Sequence, residues 1–174
     1  MKKILLALTI IAGTACTTFA QTKSDDRGKF SAGVDAALTL GRTKVISSFG
    51  IGASLKYELP IAPGTWLTAS AGYTCFLYKS DYKDKLKEFY DIDKSGESFA
   101  PVKVGMKYYI ENGFFAEGQL GAVFSTESGG GISFAYSPGV GYTFDGGFEA
   151  SARYEGWSHD GTVSQVALRL AYRF

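Results

Sequence analysis

This sequence of 174 residues contains little cysteine and histidine, and neither positive nor negative charge is in excess. Two cysteines and one histidine are too few for a disulfide framework or for the Cys/His spacing of a zinc site. Lysine and arginine number 18 against 17 acidic residues, so no strongly basic surface indicates a nucleic-acid partner. P-loop and dinucleotide fingerprints are absent as well. We expect no cofactor, no metal site and no nucleic-acid partner.

Long apolar runs are also missing, and the run at residues 4–12 is too short to cross a bilayer as a helix. It follows Lys2 and Lys3 and precedes the small residue Ala20. This layout is typical of a cleaved secretory signal. We therefore expect residues 1–20 to be removed from the mature protein.

Cys16 opens an alternative, because a lipidated cysteine also follows an apolar run. Gly13 stands where such signals usually have leucine, which favours cleavage after Ala20. The mature chain then keeps one cysteine, Cys75, and forms no intrachain disulfide. We expect a short tail at residues 21–29 and one domain at residues 30–174.

Most of this domain alternates between apolar and polar residues with a period of two, which predicts β-strands. The strands are of about 10 to 13 residues, which exceeds the usual 5 or 6 of soluble proteins and suits tilted strands that cross a membrane. Turn residues separate eight such segments, at about 30–40, 48–59, 66–78, 99–110, 114–125, 132–144, 148–157 and 163–174.

Charged residues within these segments fall on the face opposite the apolar one. In the last segment, Leu168 and Leu170 share a face, and Arg169 and Arg173 lie on the other. A soluble sandwich would show the same alternation with its charges in water, so alternation alone leaves both architectures open.

Aromatic residues favour the membrane barrel, because many of them end the apolar faces at one end of the proposed barrel. Amphipathic rings are enriched at membrane–water boundaries in this way. The residues concerned are Tyr57, Tyr108, Phe114, Tyr142, Phe144, Phe148, Tyr172 and Phe174.

The connections alternate in length, which also favours a barrel. Residues 60–65, 111–113 and 145–147 form tight turns at the aromatic end, and the long segment 79–98 lies at the other end. Short periplasmic turns and longer outer loops are the habit of outer-membrane barrels. An even strand count then places both termini, including the tail at 21–29, in the periplasm.

The final segment carries the most specific local pattern. Phe174 follows apolar residues at every second position, among them Tyr172, and this resembles the signal by which outer-membrane barrels are recognised for insertion. The whole mature chain resembles the eight-stranded OmpA/OmpX-type outer-membrane proteins and the "outer membrane protein beta-barrel domain" group. The resemblance implies an all-β, eight-stranded antiparallel up-and-down transmembrane β-barrel in the bacterial outer membrane, assembled by the barrel-assembly machinery through Tyr172 and Phe174.

Eight strands leave an interior just wide enough for side chains. Five acids and six bases are predicted to face it, and buried charges must be paired or hydrated, so we expect an ion-pair network that plugs the lumen. On this reading Arg153 and Glu155 find partners such as Glu117 and Arg169. The predicted lumen charges are Asp35, Lys56, Glu58, Lys103, Lys107, Glu117, Glu149, Arg153, Glu155, Arg169 and Arg173.

Two outer segments offer weaker candidates for chemistry. His159 stands between Ser158 and Asp160, but catalysis of the Ser-His-Asp kind needs three converging groups, so we expect a solvated loop histidine and no catalytic site. Asp91, Asp93 and Ser95 resemble the start of a calcium loop. Val102 stands where the bidentate glutamate would be, which favours a polar turn.

The sequence therefore predicts a non-enzymatic, monomeric barrel in contact with outer-membrane lipid, with a structural or surface-interaction role. A surface ligand would meet the loop at 79–98. A transport barrel for small solutes or hydrophobic molecules is the alternative, and an enzyme that modifies outer-membrane lipid is a more distant one.

Overall fold

The computed structural model describes residues 28–41, 47–79, 96–111, 113–127, 130–159 and 161–174. The predicted signal at 1–20 and most of the tail lie outside these ranges. None of the described residues belongs to a helix that is long and apolar enough to cross a membrane. Their eight strands are β1 (Lys29–Leu40), β2 (Ser47–Ala62), β3 (Thr65–Tyr78), β4 (Gly96–Glu111), β5 (Phe114–Ser125), β6 (Ile132–Thr143), β7 (Phe148–Ser158) and β8 (Thr162–Arg173).

Each strand pairs antiparallel with the next, and β8 pairs with β1, so the sheet closes into a barrel. The predicted eight-stranded up-and-down architecture is confirmed. The strands differ from the predicted segments by a few residues at their ends. β2, for example, continues past residue 59 because Pro60 and Ala62 still pair with Trp66 and Thr65 across a register shift.

Glycines shape the tight turns at one end of the barrel, which we call the turn end. Gly64, Gly113 and Gly147 have φ angles of 69°, 88° and 90°, which side chains disfavour. The carbonyl oxygen of each of these glycines accepts a hydrogen bond from a backbone N–H near the end of the second strand that follows. These bonds link neighbouring hairpins around the barrel. The bonds are Tyr109 N to Gly64 O (2.8 Å), Thr143 N to Gly113 O (2.9 Å) and Arg173 N to Gly147 O (2.8 Å).

The barrel is apolar outside and charged inside. Val34 and Leu170 on the outer face are 60% and 63% exposed, whereas Glu58 and Lys107 on the inner face are both at 0%. Alternation along every strand produces this, since successive side chains point to opposite sides of the sheet. The arrangement is the reverse of a barrel that stands in water, and it suits an apolar surrounding medium.

Outward-facing aromatic rings meet in pairs around the turn end, where the sequence predicted them. Their centroids lie 4.7 Å apart in Phe30–Tyr57, 6.1 Å in Phe114–Tyr142, 4.8 Å in Tyr142–Phe144, 5.3 Å in Phe148–Tyr172 and 5.7 Å in Tyr172–Phe174. These contacts form a partial aromatic belt at the turn end, next to the exposed aliphatic side chains of the middle of the barrel. The opposite end, which we call the loop end, carries the longer connections.

Candidate functional site: the barrel lumen

The eleven predicted lumen charges all lie inside the barrel, on six of its strands. We call them the lumen charge cluster. β3 and β6 add no charge in the part of the chain that the structure describes, but Thr68, Ser70 and Ser137 bring hydroxyl groups. Thr68 and Ser70 bond to Gln119, and Ser137 bonds to Glu155.

Four members of the cluster interlock near the turn end, and we call them the charge quartet: Lys56, Glu58, Lys107 and Glu149. Lys107 Nζ lies 2.6 Å from Glu58 Oε1 and 2.5 Å from Glu149 Oε2. Lys56 Nζ lies 3.2 Å from Glu58 Oε1 and 3.0 Å from Glu149 Oε1. Two cations and two anions thus alternate in a fully buried group, which is the arrangement that tolerates burial of charge.

Arg169 and Arg173 extend the quartet toward β8. Arg169 Nη1 lies 3.4 Å from Glu149 Oε1, and its other nitrogens donate to Ser54 Oγ at 2.9 Å and Ser31 Oγ at 3.1 Å. Arg173 Nη1 donates to Tyr109 Oη at 2.7 Å and lies 3.9 Å from Glu58 Oε2. Glu117 is held at the edge of the group by Lys56 alone among the described residues, at 3.0 Å.

Glu155 is the centre of a second group nearer the loop end. Its carboxylate pairs with Lys103 and accepts hydrogen bonds from Arg153 Nε (2.6 Å), Trp157 Nε1 (3.0 Å) and Gln165 Nε2 (3.0 Å). Five hydrogen bonds or ion pairs, counting the weak one from Ser137, compensate this buried charge.

The expected partners of Arg153 and Glu155 were wrong. Arg153 Nη2 pairs with Asp35 Oδ1 at 2.7 Å, and Glu155 pairs with Lys103. The side chains of β7 reach past the adjacent strands to β1, two strands away, and to β4, three strands away, because inward residues of a narrow barrel can meet residues of non-adjacent strands. Glu117 and Arg169, the expected partners, belong to the neighbourhood of Lys56 and Glu149 instead.

Aromatic residues that sequence reasoning did not single out pack together inside the barrel near the loop end. Phe76, Phe99 and Trp157 meet inside the barrel with ring centroids 5.2 to 5.9 Å apart. Val123 packs in the same buried group. We call these four residues the aromatic plug. Each has the strand position of an inward residue, so the alternation itself could have identified them.

The turn end has rings inside as well. Phe115 is fully buried, lies 5.7 Å from the ring of Tyr109, and has Lys107 Nζ 4.0 Å from its centroid. Trp66 lies 6.5 Å from Tyr109 and is covered by Lys29 Nζ at 5.5 Å. These contacts combine ring packing with cation–π attraction beneath the quartet.

A small polar cavity remains between the two charged groups. It measures about 40 Å³ and is bordered by Lys56, Lys103, Glu117, Gln119 and Arg153 among others. By the volume that one water needs, such a cavity holds roughly three water molecules. Glu117 Oε1 is buried and has no hydrogen-bond partner among the described residues, so it is suited to bind one of them.

The remaining candidates lie away from the lumen. His159 is exposed, and its backbone N–H donates to Gly161 O at 3.0 Å. Ser158 ends β7 beside it, whereas Asp160 and the segment with Asp91, Asp93 and Ser95 fall outside the described residues.

Phe174 closes the barrel through its backbone N–H, which donates to Phe30 O at 2.9 Å. Its ring contacts that of Tyr172. The role of the two rings as an assembly signal stays a prediction.

Comparison with known proteins finds no matching family model and no matching curated protein. Solved structures do match. The crystal structure of Ail, the attachment invasion locus protein of Yersinia pestis, is similar with a TM-score of 0.61 at 20% identity, over 87% of this chain and 100% of that one.

Two further barrels match at 12% identity and a TM-score of 0.54. A de novo designed transmembrane β-barrel is similar over 87% of this chain and 100% of its own. The N-terminal β-barrel domain of Pseudomonas aeruginosa OprF is similar over 85% of this chain and 98% of its own. The predicted resemblance to small outer-membrane barrels is thereby confirmed for the fold, which is that of an eight-stranded transmembrane β-barrel.

Proposed function

We propose that this protein is a bacterial outer-membrane barrel with a closed lumen and a non-enzymatic, structural or surface-interaction role. On this proposal both termini lie in the periplasm, the apolar face contacts outer-membrane lipid, and the protein is a monomer. The barrel-assembly machinery recognises Tyr172 and Phe174.

The observation that carries the closed lumen is the burial of its charges. An aqueous channel would leave the lining side chains in contact with solvent, but Glu58, Lys107 and Glu149 are almost completely buried. Each of them is held by ion pairs from at least two strands. Breaking such pairs to let a solute pass would leave buried charges uncompensated, which is strongly unfavourable.

Two apolar closures support the same conclusion. The aromatic plug fills the lumen at the loop end, and Phe115 with Tyr109 fills it at the turn end. A solute that entered from either side would therefore meet packed rings before it reached the charged groups. A rigid, filled barrel of this kind is suited to hold loops at a surface.

The surface role is proposed for the loop predicted at residues 79–98, of which residues 79–95 are the connection from β3 to β4, the longest between the described strands. Loops on a rigid scaffold are where binding residues concentrate. The similar barrel Ail is named for attachment and invasion, and one of its structures holds the heparin analogue sucrose octasulfate. We propose that this chain likewise meets its ligand through outer loops, with a ligand of its own.

Conductance of the purified protein in planar lipid bilayers tests the closed lumen. We expect no stable channels, because side chains fill the barrel along its axis. Stable channels of porin size would overturn the proposal and favour transport of small solutes. As a matched test of the surface role, residues 80–95 are replaced by a short Gly-Ser linker. The barrel should fold unchanged, while adhesion of whole cells that display it to host matrix or to other cells should fall.

A further inference from the structure

The pairing between β6 and β7 is interrupted in the middle of the barrel wall. It runs without a gap from Phe134↔Ser158 to Tyr136↔Gly156 and resumes only at Gly139↔Arg153. The register is the same on both sides of the gap, so no bulge causes it. By contrast, β1 and β8 pair without a gap from Ser31↔Arg173 to Leu40↔Ser164.

Pro138 accounts for the gap. Proline has no backbone N–H, so it cannot donate to the carbonyl of Tyr154, the residue that faces it in the register. Proline is rare in the middle of a sheet for this reason. The consequence is severe in a barrel wall that faces lipid, because no solvent is there to bond the free carbonyl.

Side chains bridge this stretch of the wall mainly on the outer face, where the rings of Tyr136 and Tyr154 lie 6.1 Å apart at one edge of the gap. The ion pairs of β7 run to other strands, with Arg153 joined to Asp35 on β1 and Glu155 joined to Lys103 on β4. Ser137 donates across the gap to Glu155 at 3.4 Å, which is long for a hydrogen bond. On the outer face, Pro138 is exposed, and a Cβ at the neighbouring Gly118 would meet no atom within 4 Å.

The same part of the wall separates two spaces. Five residues border both the lumen cavity of about 40 Å³ and a groove of about 590 Å³ on the lipid-facing surface: Asp35, Val140, Ser151, Ala152 and Arg169. The groove is otherwise bordered mainly by apolar side chains, among them Leu168 and Leu170. Two backbone pairs thus lie between the cavity and the groove: Asp35↔Arg169 in the uninterrupted β1–β8 seam, and Val140↔Ala152, two residues from Pro138.

A second proline interrupts the pairing of β3 with β4, and it shows what is particular to Pro138. Pairing stops at Ala71↔Val102 and resumes at Thr74↔Phe99, with Pro101 in the gap. Pro101 is buried in the lumen, and its Cγ lies 3.5 Å from the Cβ position of Gly72. The ring of Pro101 thus covers the interrupted part of the β3–β4 pairing from inside the lumen. The ring of Pro138 lies on the outer, lipid-facing side of the wall and gives no such cover.

We propose that the barrel wall opens locally between β6 and β7 at Pro138, and that this lateral opening joins the lumen cavity to the lipid-facing groove. The lumen stays closed along its axis, because the quartet and the plug meet this seam only beyond the two ends of the gap, at Thr143↔Glu149 and Ala135↔Trp157. The opening gives the protein a side route between its polar interior and the membrane.

Hydrogen exchange of the full chain in phospholipid nanodiscs tests the opening. We expect the amides of residues 152, 154 and 156, which point toward β6, to be protected about tenfold less than those of β8 that pair with β1, the effect of about one backbone hydrogen bond. Pro138→Ala restores the missing donor and should raise their protection to the level of β8. Pro101→Ala, the matched control, should leave the amides of 152, 154 and 156 unchanged. Equal protection in the native protein, or no response to Pro138→Ala, would overturn the proposal.

A cross-link gives a second test that does not depend on replacing the proline. In a Cys75→Ser background, Val140→Cys and Ala152→Cys face each other across the seam, at the spacing that a disulfide spans. Oxidation should slow exchange at the amides of residues 154 and 156, which point toward β6, and reduction should reverse it. The pair Val34→Cys and Leu170→Cys on the uninterrupted β1–β8 seam should show no such response. Unchanged exchange at 154 and 156 after the first cross-link forms would also overturn the proposal.

Discussion

In the closed lumen that we propose, two parts of the interior are filled by different chemistry: ion pairs toward the turn end, next to the rings of Phe115 and Tyr109, and rings without charges at the loop end. Near the turn end, the charge quartet fills the interior with ion pairs between β2, β4 and β7. Near the loop end, the aromatic plug fills it with rings. Ion pairs depend on every partner being present, because removing one leaves the others charged and buried. Rings depend on volume, and neighbours partly relax around a gap. The two closures should therefore fail in different ways.

The largest effect should follow from Glu149→Ala. Its carboxylate faces three cations, at 3.0 Å for Lys56, 2.5 Å for Lys107 and 3.4 Å for Arg169. Without this carboxylate, the three buried cations are no longer compensated by enough negative charge. Because uncompensated buried charge is strongly unfavourable, we expect a loss of about 5 kcal/mol in the free energy of unfolding. Urea unfolding of the barrel in lipid vesicles measures it.

Glu111→Ala is the matched control for that substitution. Glu111 ends β4 at the turn end, outside the lumen, and is exposed. Its replacement should change the free energy of unfolding by less than about 0.5 kcal/mol. A similar loss in both variants would show that the quartet has no special place in the stability of the barrel.

Trp157→Ala tests the other closure and should cost less, about 3 kcal/mol, measured in the same way. The substitution removes ring contacts with Phe76 and Phe99 and one of the donors to Glu155. We expect no stable conductance, because the quartet still blocks the lumen below. Trp157→Phe keeps a ring and should lose about 1 kcal/mol, the value of one hydrogen bond. Channels in Trp157→Ala would mean that the plug alone closes the barrel.

The comparison also shows how far the sequence predicts this molecule. Alternation predicts which side chains face inward, because period two fixes the face of every strand residue, and so the lumen charges could be named. It does not predict which of them meet. The salt bridge of Arg153 with Asp35 joins β7 to β1 across the lumen, and that contact depends on how the strands are staggered when the barrel closes.

The aromatic plug and the β6–β7 gap were missed for another reason. Phe76 and Trp157 have inward strand positions, so the alternation could have placed them in the lumen, but it does not show that their rings meet there. Pro138 is visible in the sequence as a residue that disfavours central strands. The pattern on both sides of it was strong enough to predict β6 through it, and only the pairing shows the bond that is lost.

The smallest effect should follow from Glu117→Ala, and it sharpens the comparison within the charged group itself. Glu117 and Glu149 both face Lys56 at 3.0 Å, but Lys56 keeps Glu58 and Glu149 when Glu117 is lost. We therefore expect a loss of about 1 kcal/mol in the free energy of unfolding.

Permeability of the same variant should respond more than its stability does. Glu117 borders the lumen cavity of about 40 Å³, so truncation to alanine enlarges that cavity. We expect brief conductance events of low amplitude in planar bilayers, and none from the native protein. Glu117→Gln keeps the side-chain volume but removes the charge, and it should show no conductance events. The two variants together distinguish an enlarged cavity from the loss of charge as the cause of conductance. If Glu117→Ala destabilised the barrel as much as Glu149→Ala, every acid of the cluster would be equally essential, and the ranking by number of facing cations would be wrong.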